Sequence, residues 1–556
     1  MKTHLLIGSM ILSFARLLAA ETSAVSDQEL NLIRPEAIRA HMRFLSDDLL
    51  EGRGTGTRGY QIAAKYIATE LEALGLKPAG VAGSWFQQVP LRKIDPVAER
   101  SSIAVVANGK EQVLKDGEDY AMSGSAVYTD VSVEAPVVFA GFGVTAPEVG
   151  YDDYAGLDAR GKIVVVLLGA PARLSSTERA YYAHSVTKGK NAVAHGAVGM
   201  ITILTPEEQK RYAWNWIVPQ VRAGSMRWLD EQGKPKDVFP EIRGGALFSQ
   251  GAAERLFAGA PKTLAQVFAA TAASQPTSFA LPVTLKIHTV SRHSVVEAPN
   301  VVGVLPGSDS GLRDQYVVYS AHLDHLGHCP AVKGDDICHG ALDNASGTAS
   351  LLEIAHAFAS MPQAPRRSLL FVFVTGEEKG LLGSDYFASH PTVPLSQIVA
   401  NVNIDEAPGF LYPLKDVVAL GAEHSSLNRD VQEAAKRLGY EISPDPMPEE
   451  VFFIRSDQFS FVRQGVPAVD ITDGLKSSDP QKNGAEITKQ WMTTIYHTPK
   501  DSMAQPLDYE SAARAVRLNF VIGYEVAQRQ ERPAWNPGDF FGVKFAPKTA
   551  TTAAAQ

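Results

Sequence analysis

Five separated segments of the chain carry donors suited to metal-assisted hydrolysis: AHLDH at 321–325, GALDNASG at 340–347, TGEEKG at 375–380, NID at 403–405 and YHTPKD at 496–501. They supply imidazole nitrogens and carboxylate oxygens, the ligand types of a site for two cations. The run YVVYSAHLD ends in His322 and Asp324, two residues apart and therefore on one side of a strand, so that the aspartate can hold one imidazole nitrogen while the other binds metal. His325, His328 and His339 compete for the ligand role, and the His-x-Asp spacing prefers His322. Asp343 lies in a tight loop of small residues just before a helix, where it serves equally well as a carboxylate bridging two cations or as a helix N-cap. In SLLFVFVTGEEKG a buried apolar run ends in Gly376 and two adjacent glutamates. In an extended segment neighbours point opposite ways, which leaves Glu378 to ligate metal and Glu377 to face the substrate as a general base. Asp405 ends a further strand, and His497 sits in a loop with Asp501 four residues on as an orienting partner. Each segment alone has an ordinary explanation: a strand-end histidine, a cap, a solvated acidic turn. Together they form a set suited to two zinc-like ions roughly 3.5–4 Å apart.

Such a cage needs a fold that brings distant loops together, and the ends of neighbouring strands in an α/β sheet do so. From 298 onward the texture alternates buried strands with helices: NVVGVLPG, YVVYSAH, a helix from Ala349 to Ser360, SLLFVFVTG, IVANVNID, VVALG and PAVDIT. This predicts an α/β sandwich around an essentially buried sheet. Residues 33–50 and 59–76 have helical periodicity, the second placing Ile62, Ala63, Tyr66, Ile67, Leu71 and Leu74 on one face and stopping at Gly75. Between them EGRGTGTRG lacks the lysine and strand-turn-helix setting of a phosphate loop and reads as a plain turn. Residues 131–287 are richer in short β runs and turns and read as an inserted domain. The α/β unit is then split into 21–130 and 288–540, with a disordered tail over 541–556, Ala/Thr-rich from Ala546. Trp214, Trp216 and Trp228 are assigned to the core by default.

The chain of 556 residues, 45% hydrophobic, is long enough for a large core, and its 52 basic against 61 acidic residues give no basic excess for nucleic acid. Lys2, the apolar run LLIGSMILSFA and the small residues of LLAAETSA read as an export signal over 1–20, interrupted by Arg16 short of a membrane span. The expectation is a cleaved, exported protein, periplasmic or secreted, with no stable membrane insertion. In an oxidising compartment Cys329 and Cys338, the two cysteines, are expected to pair.

The five motifs, with LSDDLLEGRGTGTRGYQIAAKYIATELEALGLKPAG at 45–80, resemble metallopeptidase family 28, the zinc exopeptidases that include leucyl-type aminopeptidases and glutamate carboxypeptidases. The resemblance implies a zinc-exopeptidase sandwich with a mixed, mostly buried sheet between helices, and likens the β-rich insertion to a protease-associated domain. It implies that Asp343 bridges two Zn²⁺ ions, with His322 and Asp405 completing one site and Glu378 and His497 the other. Glu377 matches the general base, Asp324 the residue that orients the first histidine, and Tyr496 a tyrosine that helps hold an oxyanion. An aminopeptidase acting on peptides is the leading expectation. A glutamate-type carboxypeptidase, a glutaminyl cyclase and a non-catalytic receptor relative are the alternatives. The chain departs from many relatives at Gln458, where they carry histidine, and at Glu406, where they carry Met or Ser.

Overall fold

Runs of β-branched and aromatic residues such as SLLFVFV and YVVYSAH have no polar alternation, so they suit strands covered on both faces. The computed structural model describes residues 25–211, 213–272 and 275–547 and forms them as such. The main sheet contains β1 (Phe86–Pro96), β2 (Ser278–Leu305), β3 (Tyr316–His322), β4 (Ser368–Val374), β5 (Ile398–Asn403), β6 (Asp416–Leu420) and β7 (Ala468–Asp473). Their spatial order is β1-β2-β4-β3-β5-β7-β6. The pairs among β4, β3, β5 and β7 are parallel, while β2 and β6 join antiparallel at either side, which makes the sheet mixed. Leu369, Phe371 and Phe373 on one face and Leu370, Val372 and Val374 on the other are fully buried. Each such side chain contributes roughly 1.5–3 kcal/mol of transfer free energy.

Helices α1 (Pro35–Leu45), α2 (Arg58–Ala73), α3 (Gly347–Ala359) and α4 (Tyr509–Gln528) pack their apolar faces into the larger core. The α2 periodicity holds: Thr57 caps it by accepting from Tyr60 N–H, and Gly75 at φ 82° follows its end. Among the described residues no helix is long and apolar enough to cross a membrane.

A second hydrophobic core gathers Ile103, Val105, Tyr120, Phe139, Val165, Ile201, Phe248 and Leu285. The β-rich unit therefore begins near 102, earlier than the 131 that residue texture indicates. Its strand Ser102–Ala107 pairs with 284–288 of β2, whose other half, 291–305, belongs to the main sheet. One continuous strand thus serves both sheets, and no turn marks the boundary. The strand Ser225–Trp228 leaves the insertion to pair with β1, and Trp228 is buried in the main core, with its indole N–H donating to Asp385 at 2.7 Å. Trp214 is half-buried and donates to Gly117 O, whereas Trp216 is exposed.

The C-terminal expectation needs correction. Phe540–Phe545 forms a short helix, and Phe541 is fully buried against His424 and Phe453, because an aromatic there fills a gap in the core. The export signal read at 1–20 and the tail from 548 lie outside the described residues.

Candidate metal centre

The five motif segments converge at the C-terminal ends of the parallel strands, the edge at which open α/β sheets bind ligands. His322 is the last residue of β3 and is buried. Its Nδ1 donates to the main-chain carbonyl of Asp324 at 3.0 Å, which points Nε2 at Asp405 Oδ1 (2.9 Å) and Asp343 Oδ1 (3.3 Å). The other Asp343 oxygen lies 3.0 Å from His497 Nε2, and Glu378 Oε2 is 3.3 Å from the same nitrogen. Two donor atoms sharing a tetrahedral cation at about 2.0–2.1 Å stand about 3.3 Å apart, so these spacings suit metal sharing.

Several local devices produce this geometry, and sequence reading captured only some. Glu377 and Glu378 separate as expected, but Glu377–Lys379 is a 3-10 turn entered through Gly376 at φ 67°, and the parting comes from that turn rather than from extended alternation. Glu378 faces His497, while Glu377 Oε2 lies 4.0 Å from His322 Nε2. The Asp324 carboxylate stands 4.0 Å from the His322 imidazole and instead accepts from Thr55 Oγ1 (2.8 Å) and Glu377 N–H (3.1 Å). Asp324 thereby fixes the base-bearing turn with its side chain and His322 with its backbone. Asp343 is not a cap; Asn344 accepts from Gly347 N–H at the start of α3. Asp501 accepts from the N–H groups of Leu342 and Asp343 at 2.8 and 3.0 Å, so it holds the Asp343 loop rather than His497.

His325 is the residue that sequence spacing did not place in the cage. It is fully buried, with Nδ1 2.6 Å from Glu378 Oε1 and 3.7 Å from Asp343 Oδ2, and its ring packs against Gly340, where a Cβ would meet it at 2.6 Å. Among the described residues neither ring nitrogen has a hydrogen-bond partner, nor has Glu378 Oε1. Buried polar atoms are ordinarily satisfied, so an orphaned imidazole and carboxylate facing each other are what a cation would complete. His328 pairs with Asp336, and His339 with Asp48 and Asp335, away from the cage.

The glycine-rich turn after α1 is part of the scaffold. Arg53 is buried and donates to the carbonyls of Leu45, Leu323 (3.0 Å), His339 (2.8 Å) and Gly340 (2.9 Å), tying the His322 and Asp343 loops to one guanidinium. Gly52, at φ 66°, passes so close that a Cβ would meet Cys338 O at 2.4 Å. Cys338 is disulfide-bonded to Cys329 across the hairpin between those loops. The planar guanidinium carries five N–H donors, enough to serve all four acceptors at once.

Electrostatics set the cage apart. Burial raises the Glu377 carboxyl well above its usual range, and the carboxylates of Asp405, Glu378 and Asp457 add to the shift against the opposing effect of His322. Burial also acts on Asp343, yet His325, His322 and His497 outweigh it and hold the carboxyl well below its usual range. Burial disfavours charge on His322 and His497, but the surrounding carboxylates prevail and raise both imidazoles. A cavity so rich in negative charge gathers protons on its imidazoles, and a divalent cation supplies the same charge by displacing them.

The cavity above the cage measures about 370 Å³. Tyr496 lines it, stacked on His497 with ring centroids 3.8 Å apart, and its hydroxyl accepts from Arg455 at 3.3 Å. Gln458 is buried and bonded to Asn403 and Phe453, a structural role. The insertion reaches the rim through His184, while Ser176 donates to Asp445 and Arg211 pairs with Glu450.

Residues 300–522 match the family model described as Peptidase family M28. That segment, which carries all five motif segments, is similar to peptidase family M28. The chain is 24% identical to Aminopeptidase YwaD of Bacillus subtilis (strain 168) over 421 residues, 74% of its own length and 71% of that protein. It is 32% identical to Aminopeptidase NAALADL1 of Mus musculus over 126 residues, 22% of its length and 15% of that protein. Among solved structures, an aminopeptidase from Aneurinibacillus sp. strain AM-1 shares the fold, with a TM-score of 0.53 at 18% identity over 91% of this chain and 97% of the other.

Proposed function

We propose that this protein is an exported metallo-exopeptidase that removes N-terminal residues from peptides, with two zinc ions held by His322, Asp343, Glu378, Asp405 and His497. The observation that carries the reading is Asp343: one carboxylate oxygen faces His322 and the other faces His497, so a single side chain serves both halves of the cage. The names of the bacterial and mammalian relatives support the same activity. Mixed imidazole and carboxylate donors favour zinc over calcium or magnesium. When bound, such ions lower the pKa of water and polarise the scissile carbonyl.

The chain's own groups supply the rest. Glu377, placed beside the cage by the turn that follows Gly376, acts as a carboxylate that takes a proton from water and returns it to the leaving amine. Asp324 holds the Glu377 backbone, which keeps that carboxylate at the cage without making it a ligand. Tyr496 accepts from Arg455 and so keeps its own phenolic proton for a developing oxyanion. His325 Nδ1, 2.6 Å from the other oxygen of Glu378, is a further candidate donor to the ion that Asp343 and Glu378 would hold.

A carboxypeptidase would need a cation for the terminal carboxylate. Arg455 lines the cavity but is engaged with Tyr496 and Glu450, so it is not set aside for that carboxylate. A single-zinc cyclase or a metal-free receptor leaves the filled ligand set without a purpose. The unit from 102 to 290 is proposed as a protease-associated domain framing the entrance through His184 and the rim around 445–455. A panel of free-amine, N-blocked and C-amidated peptides on zinc-loaded protein tests the activity: cleavage is expected only with a free amine, and cleavage that survives N-blocking overturns the reading. Export is tested by fractionating cells that make the full chain, and retention of residues 1–20 in the cytoplasm would refute it.

A further inference from the structure

Glu406 follows the ligand Asp405 directly, yet it does not join the cage. It lines the cavity with Oε1 fully buried and without a hydrogen-bond partner. Its backbone sits at φ 45°, a left-handed conformation that glycine would adopt without strain, and its N–H donates to Asn344 Oδ1 at 3.1 Å. A second carboxylate, Asp473, lines the same cavity and accepts from Gly409 N–H at 2.8 Å. Among the described residues neither is ion-paired with a lysine or arginine. Phe410, Leu411, Trp491 and Met492 supply apolar wall beside them.

We propose that Glu406, assisted by Asp473, selects peptides whose N-terminal residue is lysine or arginine. The proposal rests on the aminopeptidase reading above. A buried carboxylate oxygen without a partner costs free energy that a cationic ligand recovers. Apolar walls with an acidic end match a side chain that buries a methylene stem and carries its charge at the tip. The α-ammonium fits less well, because it lies one carbon from the scissile carbonyl and brings no stem for those walls.

The test compares N-terminal lysine with norleucine, and arginine with citrulline, as otherwise identical substrates of the zinc-loaded full chain. Each pair holds length nearly constant while removing charge. The expected kcat/KM ratio is roughly ten- to a hundred-fold in favour of the cation, the range of one charge-assisted hydrogen bond in a desolvated site. Glu406→Gln should collapse that ratio, mainly through KM, and Asp473→Asn should lower it less. Preference of the unaltered protein for norleucine and citrulline overturns the proposal without needing any variant to fold. Equal loss on both members of each pair in Glu406→Gln overturns it too, since that marks α-ammonium binding. Absence of turnover on every free-amine substrate would instead refute the aminopeptidase reading itself.

Discussion

Replacing Arg53 tests whether the metal loops depend on a scaffold outside the cage. Its guanidinium is buried and serves main-chain carbonyls of Leu45, Leu323, His339 and Gly340, two of which flank His322 and Asp343 within a few residues. Arg53→Lys keeps the charge but offers a compact ammonium on a shorter reach, which satisfies one or two of those acceptors. Each buried carbonyl left unpaired costs roughly 1–3 kcal/mol, so the variant, with two or three of them orphaned, should lose about 2–9 kcal/mol of unfolding free energy. Arg53→Met, with every acceptor orphaned, should lie at or beyond the upper end. The loops also carry metal ligands, and loss of an outer support of this kind lowers metal affinity roughly 10- to 100-fold. Urea unfolding of cation-free and zinc-saturated protein gives the first number, and competition against a calibrated chelator the second. A lysine variant that kept both its unfolding free energy and its zinc affinity within about twofold would refute the clamp.

Glu377→Gln should retain zinc by elemental analysis while turnover falls by roughly 10²–10⁴, the usual contribution of a positioned general base; Asp343→Ala should lose the metal itself, because both halves of the cage share that carboxylate. Burial in the cavity wall, with Arg463 nearby, lowers His184 to about 4, below an unfolded value of 6.5. The stability it contributes is present above pH 6.5 and lost as pH falls towards 4, by up to about 3 kcal/mol before discounting its partial exposure. His184→Gln should therefore flatten the acid limb of the urea midpoint against pH, and an unchanged limb would count against neutral burial of the ring. Breaking the Cys329–Cys338 bond with reductant, or by Cys338→Ser, should cost roughly 2–3 kcal/mol from the small ring it closes, read as a lowered Tm.

The fold and the site differ in how far they are legible along the chain. Buried runs such as SLLFVFV announce central strands because nothing but double-sided coverage tolerates them, and the residues that end them announce the site. The insertion boundary is not legible, because β2 runs unbroken from one sheet into the other and composition does not change at a hydrogen-bond register. The short helix at 540–545 is missed for a related reason: Phe541 finds its partners, His424 and Phe453, only in three dimensions.

By itself the sequence determined the donor inventory and the strands that carry it. Those properties follow from local alternation and from a few spacings along one segment. Tertiary structure alone decided that His325 turns in against Glu378, that Asp324 holds the Glu377 turn, that Asp501 holds Asp343, and that Arg53 binds the loops together. Each of these is a contact between segments far apart in sequence or a bond to a backbone carbonyl. Backbone acceptors are alike at every position, so no residue pattern encodes which one a side chain will reach.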